Sequence, residues 1–361
     1  LTSGDGVESP LVMHQGAIGD TIQLVAMLRS LERRFGAPCD VVTGAVPASD
    51  LFAGLSCVRQ VRQLRNRRLP LALSREQRGL LAWLRQRGQT PTYVVERWRH
   101  RVAPWSALTR QELLLARAGV PRSHVVTTVD CPRGPLEHAV DYLLRLSAVD
   151  PAAYRGRAAA ADPGLQPTLV VSAEEIAECR AWLRGRGWGG EPLMLLQSTS
   201  RRKKRGRWPK ERWVRLGREM LADRVDGWLL LIGAPRERRQ TAALRAAIGH
   251  ARAHDVAAEL PLRRLFALLS LADSLISLDS APVHAAAAVE CPVVVIAGTA
   301  DPRRNAPRGR GRVEVVTGFG AGPWPADGRQ WFDRHDASRI EVTSVLAAWR
   351  RLGPRGPEGG A

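Results

Sequence analysis

Ser274-Leu-Ile-Ser-Leu-Asp-Ser-Ala-Pro-Val-His-Ala-Ala-Ala-Ala-Val289 reads as a strand, a polar turn and an alanine-rich helix. Pro282 falls in the first helical turn, where a missing N–H costs nothing because the early N–H groups have no internal partner. Those N–H groups and the helix dipole form a natural seat for a phosphate or diphosphate. Small side chains at Ala281 and at Ala285 to Ala288 let a ligand approach the backbone, and His284 sits where it can donate to the same anion. Spacing alone equally suits a plainer reading, in which Ser280 caps a packed helix and His284 is structural.

Moving outward, the second half repeats this strand–loop–helix unit. Leu193 to Leu196 is a strand that leads into a polar, basic loop and then a helix over Lys210 to Asp223. Trp228 to Ile232 leads into Gly233-Ala-Pro-Arg-Glu237 and a helix ending near Gly249. A helix over Leu262 to Ala272 precedes the strand at Ser274, and Pro292 to Ile296 closes on Ala297-Gly-Thr-Ala-Asp-Pro302. The first half follows the same rule. Strand Leu11 to His14 is followed by the turn Gln15 to Asp20 and a helix ending near Gly36. Strands follow at Cys39 to Thr43, Val58 to Leu64 and Thr92 to Glu96, and Ser74-Arg-Glu-Gln77 opens a capped helix that ends at Gly88. Strands alternating with helices predict parallel sheets covered on both faces, with ligand loops at the carboxyl ends of the strands. The expected class is α/β, with two Rossmann-like doubly wound parallel-sheet domains facing a cleft. Their expected limits are 8–168 and 169–340, with a terminal helix over 341–352 packing back on the first domain.

The chain has 361 residues and a formal charge of +19. Only three basic residues are lysines (Lys203, Lys204 and Lys210), which leaves 51 arginines. An anionic partner explains the excess, and so does a compositional drift toward arginine on solvated faces. Cys39, Cys57, Cys131, Cys179 and Cys291 are scattered, with no Cys-x-x-Cys pair and no histidines at metal spacing, so neither a disulfide framework nor structural zinc is expected. Leu1 to Pro10 is polar and does not read as a signal peptide. The most apolar stretch, Leu265 to Leu278, is interrupted by polar residues and is shorter than the ~20 apolar residues of a membrane span. A cytoplasmic protein is expected, peripheral at most to the inner membrane.

Five elements of the second half occur in an informative order: Gln197-Ser-Thr-Ser-Arg201, Trp208-Pro209, Gly233-Ala-Pro-Arg-Glu237, Asp279-Ser-Ala-Pro-Val-His284 and Ala297-Gly-Thr-Ala-Asp-Pro302. Together they resemble glycosyltransferase family 9, the bacterial ADP-heptose:lipopolysaccharide heptosyltransferases, which have a GT-B fold. The first half adds Gly16-Ala-Ile-Gly-Asp20, similar to the family's Gly-x-x-Gly-Asp loop. The resemblance implies that Asp20 is the catalytic base, taking a proton from the acceptor hydroxyl. It implies a donor site of Thr199, Ser200, Lys204, Arg205, Asp279, Ser280, Ala281 and His284 around the diphosphate, with Glu237 on the ribose hydroxyls. Ala281 stands where the family has glycine. The family's basic residue two before the tryptophan is Gly206 here, so the charge is expected at Lys204 or its neighbours Lys203 and Arg205.

The implied reaction is inverting transfer of a heptose, or a similar sugar, from an ADP-sugar to a lipopolysaccharide inner-core or related anionic acceptor. No cofactor and no metal are expected, the nucleotide-sugar being a substrate. The acceptor side is expected in the basic first half, at Arg59, Arg62, Arg65, Arg67, Arg68, Arg97, Arg99, His100 and Arg101, with Trp98 and Trp105 interleaved. A monomer is expected, with no nucleic acid as partner. The rival readings are a non-catalytic basic nucleotide- or nucleic-acid-binding protein, against which the lack of any nucleic-acid motif counts, and a nucleotide-sugar epimerase of the same fold.

Overall fold

The structure, a computed structural model, describes residues 9–44, 47–65, 74–95, 110–156, 158–199, 207–319 and 324–353. The chain divides into two compact units, one of Leu1–Gly134 with Ala139–Pro167 and one of Pro135–His138 with Thr168–Ala361.

The first unit comprises β1 (Leu11–His14), α1 (Ile18–Phe35), β2 (Cys39–Thr43), α2 (Ala48–Phe52), β3 (Val58–Gln63), α3 (Arg75–Arg87), β4 (Thr92–Val95), α4 (Arg110–Ala118), β5 (Val125–Thr127) and α5 (Ala139–Ser147). Its strands form a parallel sheet in the order β3-β2-β1-β4-β5. β1 and β4 are buried at every position, as central parallel strands with helices on both faces must be. Leu80, Leu84, Leu114 and Leu115 of α3 and α4 cover one face, and Ala26, Val140 and Leu144 join α1 to α5. α1 ends at Gly36, whose φ of 67° is the left-handed conformation that favours glycine. At the amino-terminal edge of the sheet, Asp40 is fully buried between Arg59 and Arg87. Burial alone would raise its carboxyl, but the two guanidiniums outweigh that and hold it below the usual carboxylate range.

The second unit comprises α6 (Ala173–Arg184), β6 (Leu193–Gln197), α7 (Lys210–Asp223), β7 (Trp228–Leu231), α8 (Arg238–Ile248), β8 (Ala253–Asp255), α9 (Leu262–Leu271), β9 (Ser274–Leu278), α10 (Ala281–Ala288), β10 (Val293–Ile296), α11 (Pro302–Asn305), β11 (Val313–Val316), α12 (Gly328–Arg334) and α13 (Val342–Leu352). The parallel order is β11-β10-β9-β6-β7-β8. From β6 the chain winds outward through β7 to β8, then returns to place β9 on the other side of β6. That reversal is a topological switch point, the place where open α/β sheets bind ligands beyond their carboxyl ends. The first sheet has its own reversal between β1 and β4.

The terminal helix, α13, belongs to the second unit, and its apolar face lies in that unit's core. Val342, Val345, Leu346, Ala348, Trp349 and Leu352 join the cluster formed by Trp213, Leu216, Leu229 and Ile276. Trp349 Nε1 donates to Ser274 Oγ at 2.9 Å, and Arg350 and Arg351 pair with Asp223 and Glu314. The helix start is pinned as well, because Trp208 Nε1 donates to the Ile340 carbonyl at 2.7 Å and Arg212 to that of Ser338 at 2.6 Å.

Candidate functional site

At the switch point of the second sheet, β6 ends on Gln197 and β9 on Leu278, with Asp279 and Ser280 following. The Gln197 amide is buried, and all its hydrogen-bonding positions are taken. Nε2 donates to the Thr199 carbonyl (2.6 Å) and to Thr199 Oγ1 (3.0 Å). Oε1 accepts from Ser277 Oγ (2.9 Å) and Ser280 Oγ (3.1 Å). Thr199 is therefore held against the strand end, and Ser280 is tied across to β6. Gln197 heads one of the five sequence elements, yet sequence reasoning gave it no role of its own; the structure makes it the link between β6, Thr199 and Ser280. The signal available was a lone amide closing the otherwise apolar run Leu193-Met-Leu-Leu-Gln197.

α10 begins at Ala281 with Ser280 in the N-cap position, yet the Ser280 side chain makes no capping bond. Ala281 is the first helical residue and is not among the non-glycine residues with positive φ, which among the described residues are Ala258 and Glu290. No left-handed conformation is needed there, so alanine replaces glycine without strain. His284 is buried in the same helix. Asp279 lies beside the loop after β10, where a Cβ on Gly298 would come within 3.9 Å of its own Cβ.

Two positions along the same edge, β7 leads to Glu237. Its Oε2 accepts from the Ala234 N–H at 2.9 Å, and its Oε1 receives Arg236 at 3.2 Å. The carboxylate thus folds over its own loop, as an ordinary first-turn glutamate does, while still lining the carboxyl edge of the sheet. Ala258, after β8, donates its N–H to the Gly233 carbonyl at 3.0 Å while held at φ 72°, a left-handed conformation that alanine adopts at some cost.

In the first unit, the loop after β1 is drawn tight. A Cβ at Gly16 would lie 2.2 Å from His14 Nε2 and 2.7 Å from Asp20 Cβ, so only glycine fits between them. His14 is buried and its Nδ1 lies 3.3 Å from the Val95 carbonyl across the β1–β4 reversal. α1 starts at Ile18, earlier than the sequence places it, so Asp20 is the third helical residue and lies inside the helix, not in the turn before it. Its Oδ2 accepts from the Ala17 N–H at 3.3 Å, and the side chain remains half-exposed.

Residues 152–323 match the model of glycosyltransferase family 9 (heptosyltransferase). That segment spans β6 to β11 of the second unit, a little under half of the chain. The match contains Gln197, Thr199, Glu237 and Asp279 to His284; Asp20 lies outside it. Among solved structures, the chain is similar to ADP-heptose lipopolysaccharide heptosyltransferase II of E. coli, at 17% identity over 95% of this chain and 98% of that one, with a TM-score of 0.70. A glycosyl transferase family 9 protein of Veillonella parvula aligns at 14% identity over 97% and 99%, with a TM-score of 0.73. E. coli heptosyltransferase WaaC with ADP aligns at 19% over 95% and 100%, with a TM-score of 0.61. No curated protein sequence matches the chain. At these identities the likeness establishes the fold, two parallel-sheet α/β domains of the GT-B kind. The match of residues 152–323 favours neither of the rival readings, nucleic-acid binder or epimerase.

Other family 9 positions have structural work here. The Trp-Pro of the motif is core: Trp208 meets Trp213 edge-to-face at 4.9 Å. Asp301 caps α11 through the Arg303 N–H at 3.0 Å and holds the Arg303 guanidinium with both oxygens. Arg59 is committed to Asp40, and Arg62 lies over the Trp83 ring at 5.4 Å. Ser200, Lys203, Lys204, Arg205, Arg67, Arg68 and the basic and tryptophan positions 97–105 lie outside the described residues. Among the described residues no group of three His, Cys, Asp or Glu is arranged to hold a metal ion, and no helix is long and apolar enough to cross a membrane. All five cysteines are free and buried.

Proposed function

We propose that this protein is a family 9 glycosyltransferase that transfers a heptose, or a close relative of it, from an ADP-sugar to a hydroxyl of an anionic glycolipid such as a lipopolysaccharide core, with inversion. One observation carries the reading. The carboxyl ends of β6, β7 and β9 bring Thr199, Glu237, the α10 terminus and His284 to one edge of one sheet, inside the segment that matches the family. ADP is named with WaaC, and the chemistry of this edge suits ADP. The positive end of α10, with Thr199 and His284, accepts the diphosphate. Glu237 offers a carboxylate to the ribose hydroxyls, and Ser200, Lys204 and Arg205 complete the anion site.

In the reaction the acceptor oxygen attacks the anomeric carbon as the bond from that carbon to the diphosphate oxygen breaks. The electron pair leaves with ADP. Asp20 takes the hydroxyl proton, which makes the oxygen a competent nucleophile. Hydrogen bonds and positive charge at the diphosphate strengthen as negative charge develops there, which is how they accelerate the step. Cationic side chains and the helix end neutralise the leaving group in this scheme, with no divalent ion required. The protein acts alone, as a monomer at the cytoplasmic face of the inner membrane.

Asp20→Asn tests the assignment, because the amide keeps size and can still accept from the Ala17 N–H. Turnover should fall by ~10²–10⁴-fold while ADP affinity measured by calorimetry stays within error of wild type. Undiminished turnover would remove Asp20 as the base. Salt-sensitive binding to RNA or DNA, with none to ADP, would defeat the transferase reading as a whole.

A further inference from the structure

Gln197 does more than end a strand. Its amide cannot be turned over without loss, because the Thr199 carbonyl only accepts and so demands Nε2 at that position. With the orientation fixed, two consequences follow for the neighbouring hydroxyls. Thr199 Oγ1 already accepts from Nε2, so its own proton points to a different partner and the hydroxyl is set to act as a donor. Ser280 Oγ, at the N-cap of α10, has its proton drawn to Gln197 Oε1 (3.1 Å) or the Leu278 carbonyl (3.0 Å).

A serine at an N-cap ordinarily turns its oxygen onto the N–H of the second or third helical residue. In α10 the second residue is Pro282, which has no N–H, and the third, Val283, reaches the Ser280 carbonyl at 3.2 Å. The Ser280 hydroxyl makes no such bond. The positive end of the helix is therefore not covered by the side chain best placed to cover it.

We propose that Gln197 is the positioning residue of the donor diphosphate subsite. It presents the Thr199 hydroxyl as a donor and holds the Ser280 hydroxyl away from the end of α10. This deepens the ADP-sugar reading above and rests on it. The amide acts through Thr199 and Ser280, so its removal should weaken recognition of the diphosphate and leave recognition of the nucleoside intact.

The experiment compares ADP with adenosine on the full chain, by calorimetry and by NMR titration. Gln197→Met fills the same space without donors or acceptors. It should weaken ADP binding by about 10- to 100-fold, the loss of one to two hydrogen bonds to a charged group, with adenosine affinity unchanged. Gln197→Glu replaces two donors with acceptors and turns the Thr199 proton inward. It should show the same ADP-selective loss, recovering relative to wild type as the pH is lowered and the carboxyl regains a proton to donate; it also serves if the methionine variant does not fold. Equal ADP affinity in either folded variant overturns the inference, and so does a parallel loss of ADP and adenosine, which marks a purely structural role. Wild-type protein that binds no ADP would instead defeat the donor reading itself, and this inference would fall with it.

Discussion

A single proton decides the state of His335. The ring is buried, stacks on Trp331 at 4.7 Å and accepts the Gly318 N–H on Nε2 at 3.1 Å. Burial, opposed only by Asp336, pulls its pKa down to about 4, and a proton on Nε2 would face the Gly318 N–H head-on. The unfolded histidine titrates near its free value of about 6.5, so between the two values the unfolded chain binds more protons. Stability from this group is complete above the unfolded value and is lost as pH falls toward 4, by up to about 3 kcal/mol. Urea unfolding of wild type should therefore weaken across that interval. His335→Phe, less stable at neutral pH, should show a flatter slope; an identical slope would refute the role. Residues such as Asp20 and His284 could be singled out as candidates in the sequence because they lie in short patterns that occur in a set order. Gln197 was not, since its meaning comes from Ser277 and Ser280, 80 and 83 residues away, across a strand pairing that no local pattern states.

At the scale of elements, α10 is held from its far end. All four residues from Ala285 to Ala288 are buried, and two glycines press on the helix terminus. A Cβ at Gly309 would lie 2.1 Å from the Ala287 carbonyl oxygen, and one at Gly311 would lie 2.8 Å from the Cys291 carbonyl oxygen. These contacts are with backbone, which cannot rotate aside. Gly309→Ala should destabilise by about 2–3 kcal/mol through overpacking and, by displacing the helix, weaken ADP binding at its other end. A variant as resistant to urea as wild type would show that the close approach is unimportant. The helix over Lys210–Asp223 was readable to the residue because its apolar spacing is regular and Pro209 marks its start, whereas α1 begins inside what reads as a turn. β5 and β8 are three residues each, too short for periodicity to register, and both lie at sheet edges. The amphipathic face of α13 announces burial, yet a pattern does not say against what; Trp208, Trp349 and their partners decide that.

For the molecule as a whole the governing quantity is charge. With 54 basic and 35 acidic side chains, pairing every acid still leaves 19 cations to be solvated or met by an external anion. Local pairs such as Arg350–Asp223 and Arg351–Glu314 place charges but do not reduce that surplus. A drift toward arginine would scatter the surplus, and a scattered field falls off within a Debye length, ~10 Å at 0.1 M salt. A surplus gathered for an anionic glycolipid would act on a surface together, at about 1 kcal/mol per basic residue near an anionic leaflet. The two cases separate in a sedimentation assay with phospholipid vesicles. The protein should pellet with anionic vesicles at low salt and not with zwitterionic ones, and should be released between about 0.05 and 0.5 M salt as screening tightens. Binding equally to zwitterionic vesicles would point to apolar insertion, although among the described residues no helix is long and apolar enough to cross a membrane. No binding to anionic vesicles at low salt would mean that the arginines serve solvation, and the acceptor would then have to be recognised by shape and hydrogen bonds within a far smaller patch.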